Sequence, residues 1–248
     1  MYYRTRIQFT ENDFEFITQT LGKTPKEQSA LRQLLVDPFT LTELLHEKHL
    51  FQQSMTIPPL FLSISPSLFF YMFIYRALDT KELADDDVVD YVAGICVEFR
   101  SSHTLWQLTS QGEKMVYSVD LLNMIGDVDK HQQYYLRRYI GNSALFLTGF
   151  FPDYIFQRSK KKGAPPLEYY EKLGRTQFET AASDSLNYDA ETAPVLNTLA
   201  ERFVDIRSAL NIYTDAYLHL NKKKHSLEII ERQAATLDEE SFRQSLEL

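Results

Sequence analysis

Residues Asp127–Pro152 read DVDKHQQYYLRRYIGNSALFLTGFFP, and this stretch decides the fold. Asp127 stands where a helix N-cap is wanted, and helical spacing continues to about Gly149 before Pro152 interrupts it. Gly141 and Gly149 are placed against that pattern, since glycine inside a helix costs about 1 kcal/mol relative to alanine. Such a cost points to close helix packing at Gly141 and a sharp exit at Gly149. Asn142, Ser143 and Thr148 put polar groups on an otherwise apolar helix and must find partners if buried.

Working outward, helix starts and stops recur on both sides. Thr10 and Gly22 bracket a first helix, and Thr24-Pro25-Lys26-Glu27 opens a second with a capping box. Leu31, Leu34 and Leu35 share a face of that second helix, which Asp37-Pro38 stops. A helix over about Leu41–Phe51 follows. Ser65-Pro66 opens another, and the run of three aspartates Asp85–Asp87 suits the positive end of the next. There Val88, Val89, Val92, Ile95, Cys96 and Phe99 repeat with helical period. The period changes over 104–119, where Thr104–Thr109 and Lys114–Val119 fit one small β-hairpin around Ser110–Glu113. Pro152 opens a short helix to Arg158, Pro165-Pro166 opens one to about Ser183, and Ser183–Thr192 is turn-like. A last long helix is predicted from about Pro194 to Lys223. The tail 226–248 is charged and expected to be loosely attached. The expected fold is mainly α, a multi-helix bundle forming a single domain over 1–248.

Composition agrees with a folded globular chain: 248 residues, 44% apolar and 24% charged. Lys plus Arg number 26 against 34 Asp plus Glu, a net charge of -8 that argues against general nucleic-acid binding. The lone cysteine, Cys96, sits in an apolar run and reads as a core residue in a reducing, cytoplasmic setting. The first residues lack the apolar stretch and cleavage site of a secretory leader. Ile57–Tyr75 carries no charge, but Pro58, Pro59 and Pro66 divide it, so a core helix rather than a membrane span is expected.

No Gly-rich phosphate loop, GxGxxG, HExxH, CxxC or GxSxG occurs. Two Asp-x-x-x-His pairs, Asp127/His131 and Asp215/His219, would each place two metal ligands on one helix face, as in helical iron or manganese proteins. They would need further ligands from Glu98, His103, Glu168 or Glu171. The competing reading makes Asp127 a cap and the other three solvated side chains. His46 and His49 form a weaker pair in a polar helix end. The region 137–178 is dense in aromatics. A pocket lined by Tyr139, Asn142, Tyr154, Tyr169 and Tyr170 would have Arg137, Arg138, Arg158 or Arg175 available for an anion. The competing reading is a packed core with a tyrosine-rich rim. Lys160–Lys162 and Lys222–His225 follow helices and read first as solvated turns.

The pattern Leu145–Pro152, a short basic loop, and Tyr169–Arg175 resembles a set of uncharacterised bacterial all-α proteins. It covers about a fifth of the chain. The resemblance implies a bacterial origin and no known activity, and it brings no catalytic residue. The leading expectation is therefore a cytoplasmic binding or regulatory module without catalysis or cofactor, associating with a protein partner or with itself. The alternatives are a helical transition-metal protein and a small-molecule binder with a Tyr-rich pocket.

Overall fold

The structure is a computed structural model that describes residues 5–57, 64–99 and 118–218. Those residues fold as helices, with no strand among them. The expected hairpin segment lies outside the described residues except for Ser118 and Val119, which are helical. The tail 226–248 also lies outside them.

The described chain divides into two compact units, residues 3–97 and residues 98 onward. The first contains α1 (Glu11–Leu21), α2 (Pro25–Leu34), α3 (Pro38–Leu45), α4 (Lys48–Thr56), α5 (Pro66–Asp79) and most of α6 (Asp86–Phe99). Local chemistry explains their starts. Thr10, Thr24, Asp37 and Ser65 each hold an extended backbone at the N-cap, and proline occupies the first position of α2, α3 and α5. Leu68, Tyr71, Met72, Ile74 and Leu78 of α5 are buried, as are Val88, Val89, Val92 and Ile95 of α6. Cys96 is buried with them, and burial pushes its thiol well above the usual range.

Two carboxylates tie this unit together. Asp13 Oδ1 accepts the Ser65 N–H at 2.6 Å, and its Oδ2 accepts the Thr10 N–H at 2.6 Å. Asp90 accepts from the Arg6 backbone N–H at 3.1 Å and from Arg6 Nε at 3.2 Å. Burial nevertheless holds the Asp90 carboxyl above the ordinary carboxylate range, the Arg6 contacts offsetting only part of that cost.

Two expectations change here. The helix expected over Leu41–Phe51 is two helices, because His46 ends α3 and Glu47 starts α4. The face expected to be buried on α2 is not: no α2 residue is buried, and Leu34 is 51% exposed while Leu35 just beyond the helix turns inward. Val36 between α2 and α3 and Phe39 in the first turn of α3 are exposed as well.

The second unit is built on α8 (Lys130–Phe150), preceded by α7 (Ser118–Ile125) and followed by α9 (Pro152–Lys162), α10 (Leu167–Ser185), α11 (Ala193–Glu201) and α12 (Phe203–Tyr213). α10 packs along α8, α12 packs on both, and α11 packs on α10 and α12. Glycines set the closest approaches. A Cβ on Gly141 would lie 2.8 Å from the Phe178 ring, and one on Gly174 would lie 2.4 Å from Phe203 Cε2. Gly149 is not an exit residue: α8 runs through it to Phe150, and the missing side chain admits Leu210 Cδ1 to 2.9 Å of a Cβ position. Ser143 and Thr148 settle their hydroxyls on the Tyr139 and Ala144 carbonyls one turn back.

The predicted helix from Pro194 to Lys223 is interrupted at Arg202 and passes into a π-helical turn, Thr214–Leu218. α11 packs on α10, whereas α12 packs on α8 as well as on α10. No described helix is long and apolar enough to cross a membrane.

Candidate functional site

The N-cap of α8 lies two residues beyond Asp127. Asp129 is the N-cap: its Oδ1 accepts the Gln132 N–H at 2.9 Å, and Gln132 Oε1 accepts the Asp129 N–H at 3.3 Å. Asp127 therefore lies in the preceding turn, with its N–H donated to the Met124 carbonyl, and does not share a helix face with His131. His131 instead enters an aromatic cluster. Its ring meets Tyr135 edge-on at 4.8 Å and Tyr188 at 5.2 Å. Tyr134 lies 5.0 Å from Tyr135 and 5.8 Å from Tyr188. Four rings thus form a closed circuit, three from the first turns of α8 and one from the loop after α10.

Arg138 anchors this circuit from within. It is 6% exposed, and its guanidinium lies over both Tyr134 (5.7 Å) and Tyr135 (5.6 Å). Its NH1 donates to the Tyr134 hydroxyl at 3.4 Å and sits 3.6 Å from Asp189 Oδ2, next to Tyr188 in the chain. Burial raises the Tyr134 phenol above its ordinary range, so it stays protonated beside the cation. Glu98 also feels Arg138, which lowers its carboxyl against a larger upward push from burial. The outward members are exposed: His131, Tyr135 and Tyr188, with Leu186 at 69% beside them in sequence.

The other residues singled out by sequence are distributed as follows. Arg137 reaches α10, donating to Gln177 Oε1 at 3.2 Å and lying 3.7 Å from Asp184. Tyr139 and Asn142 lie further along α8, Asn142 buried and Tyr139 packed edge-on to Phe99 at 5.4 Å, its phenol raised by burial. Arg158 donates to the Tyr154 hydroxyl at 2.7 Å, and its charge lowers the Tyr170 phenol against the burial that raises it. Tyr169 packs on the small cluster of Ile125, Leu136, Ile140 and Leu173. Arg175 is exposed on the side of α10 away from its buried stripe. So Tyr154, Arg158 and Tyr170 come together, while Arg137 and Arg138 are committed to Asp184 and Asp189.

Among the described residues no group of three or more His, Cys, Asp or Glu side chains could hold a metal ion. Asp215 is exposed in the π-helical turn, and His219 lies outside the described residues. In the first unit His46 stacks on Tyr75 at 3.8 Å and places Nε2 3.2 Å from Asp86, while His49 lines a shallow hollow of about 350 Å³ with Phe16 and Gln53.

Sequence reasoning missed Tyr188 and Asp189, read only as turn residues. Tyr134 and Tyr135 stand just before the aromatic-dense region 137–178. The i, i+3 and i+4 spacing from His131 to Tyr134 and Tyr135 was a legible signal for the α8 side of the circuit. No protein-family model, curated protein or solved structure matches the chain.

Proposed function

We propose that this chain is a non-catalytic binding module that engages a protein partner through the surface formed by His131, Tyr135, Leu186 and Tyr188. One observation supports the reading above the rest: a closed circuit of aromatic rings reaches the surface and is held from behind by the buried Arg138, which pairs with the half-buried Asp189. Tyrosines of this kind make strong interface anchors. Each offers a large rigid area with a polar tip and loses little side-chain freedom on binding. Here the freedom is already spent within the fold, which lowers the cost of association. The guanidinium behind the rings is paired with Asp189 within the fold, which holds the Tyr188 side of the circuit against the α8 side.

The test is a photo-crosslinking residue in place of Leu186 in the cell of origin. The reading expects a discrete adduct with one protein, lost when Tyr188→Ala is added, and no such adduct from the same residue placed at Glu179 on α10. An adduct insensitive to Tyr188→Ala, or none at position 186, overturns it.

A further inference from the structure

The geometry points to a second recognition site, within the first unit: a slot for an arginine residue of a peptide, which the chain keeps closed with its own Arg6. The slot shares no residue with the ring circuit.

Its walls stand on helices. Thr42 comes from α3, Tyr71 from α5, and Asp86 and Asp90 from α6. The plug is the short 3-10 turn Thr5–Gln8, whose Arg6 is 84 residues from Asp90 in sequence. Arg6 fills the slot as a whole residue rather than as a bare cation. Its backbone N–H donates to Asp90 Oδ1 at 3.1 Å and its Nε to Oδ2 at 3.2 Å. Its NH1 donates to Thr42 Oγ1 at 2.5 Å and lies 3.9 Å from Asp86 Oδ2. The guanidinium carbon is 5.5 Å from the centroid of the Tyr71 ring. Thr42 donates its own hydroxyl proton to the Pro38 carbonyl at 3.0 Å, so towards Arg6 it acts as an acceptor. One carboxylate thus meets a main-chain N–H and a side-chain N–H together, and a hydroxyl fixes the end of the fork. Lysine has neither the Nε donor nor the planar fork to satisfy these groups.

Two features separate the slot from an ordinary structural ion pair. Asp90, Thr42 and Tyr71 are buried, yet the Arg6 side chain between them is 23% exposed, so the slot opens to solvent where Arg6 enters it. Among the described residues the Tyr71 hydroxyl is also buried with no hydrogen-bond partner, within the field of Arg6, Asp86 and Asp90. An unpaired buried hydroxyl is unfavourable, and closure by Arg6 leaves that contact unmade. Buried ion pairs add little net stability over apolar residues of similar size, and their best-attested use is in specificity and switching. The plug contributes the donors and the helices contribute the acceptors, so the slot remains when Thr5–Gln8 lifts away.

The test uses N-acetyl-arginine N-methylamide, which carries both the main-chain N–H and the guanidinium, with the lysine analogue as its charge-matched control. In the full chain with Arg6→Gly, calorimetric titration is expected to show one saturable site for the arginine compound. Using the lysine compound instead, or adding Asp90→Asn, should weaken binding about tenfold or more. In the native chain the arginine compound competes with Arg6, and hydrogen exchange of the Arg6 amide reads that competition. Exchange through a lifted plug rises as one plus the ratio of ligand concentration to Kd. About tenfold acceleration is therefore expected at about ten times the Kd measured on the Arg6→Gly chain, with the amides of α5 unchanged. Should circular dichroism show the Arg6→Gly chain unfolded, the native chain decides alone: acceleration proportional to the arginine compound and absent with the lysine compound supports the slot. Equal binding of the two compounds, binding indifferent to Asp90→Asn, or an Arg6 amide whose exchange ignores the arginine compound overturns the inference.

Discussion

Gly174→Ala is the sharpest probe of how the second unit is packed. A Cβ at Gly174 would lie 2.4 Å from Phe203 Cε2, 2.6 Å from its Cζ and 3.1 Å from Ala144 Cβ. Ordinary carbon contacts are about 3.5–4.0 Å, so the Phe203 ring would have to move roughly 1 Å. It has little room to do so, being fully buried, with Phe178 at 6.2 Å on one side. Overpacking of this degree costs about 3 kcal/mol, and the helix propensity gained on replacing glycine returns about 1. The net expectation is a loss of about 2 kcal/mol, read as a lower urea midpoint in circular dichroism at 25 °C. Phe203→Leu makes room at the same place. The double variant should therefore be less destabilised than the sum of the two single variants by about 1 kcal/mol or more. Gly126→Ala is the control, since its Cβ would meet nothing closer than Asn123 O at 3.7 Å; it should be neutral or stabilising by up to about 1 kcal/mol. A Gly174→Ala chain as stable as the native one, or strictly additive changes, would refute the packing argument.

Three further outcomes are expected in the first unit. Asp13→Ala strips the buried acceptor from the Ser65 and Thr10 N–H groups and should cost roughly 3 kcal/mol, with Asp13→Asn costing less; equal effects would contradict the carboxylate's double role. Glu82 has φ +56°, a backbone setting that favours glycine, so Glu82→Gly should stabilise by about 1 kcal/mol in the same urea assay, and a loss would count against that geometry. The Asp90 carboxyl titrates higher folded than unfolded, so its contribution is full below the unfolded value near pH 4 and is lost as pH rises through the folded value. The stability of the native chain minus that of Asp90→Asn should therefore fall as pH increases from about 4, and a rise would reverse the assigned balance of burial over the Arg6 contacts.

What was legible in the sequence is local. Thr24-Pro25 and Ser65-Pro66 announce helix starts because the cap and the fixed proline backbone act within one turn. The α8 start was legible but misread. Asp129 has Gln132 three positions on, which completes a reciprocal cap, whereas Asp127 has Lys130 there. The break at Arg202 carries no local mark, since neither glycine nor proline stands there, and what changes across it is the packing, α11 on α10 and α12 on α8 as well. Leu34 shows the same limit: it has the right period to be buried, but its helix lies at the surface. At the candidate site the helical half of the circuit was readable from the spacing of His131, Tyr134 and Tyr135. Its other half, Tyr188 with Asp189, comes from more than fifty residues away, and only the pairing of α8 with α10 delivers it.

The central claim is that the ring circuit is a binding surface whose energy is concentrated in a few aromatic anchors. The most direct measurement is the affinity of the full chain for the protein that cross-links at position 186, compared between native and Tyr188→Ala chains. A hot-spot loss of about 2 kcal/mol or more, near thirtyfold in Kd, is the predicted result. A change of less than about twofold would show that the partner is held elsewhere and would contradict the account.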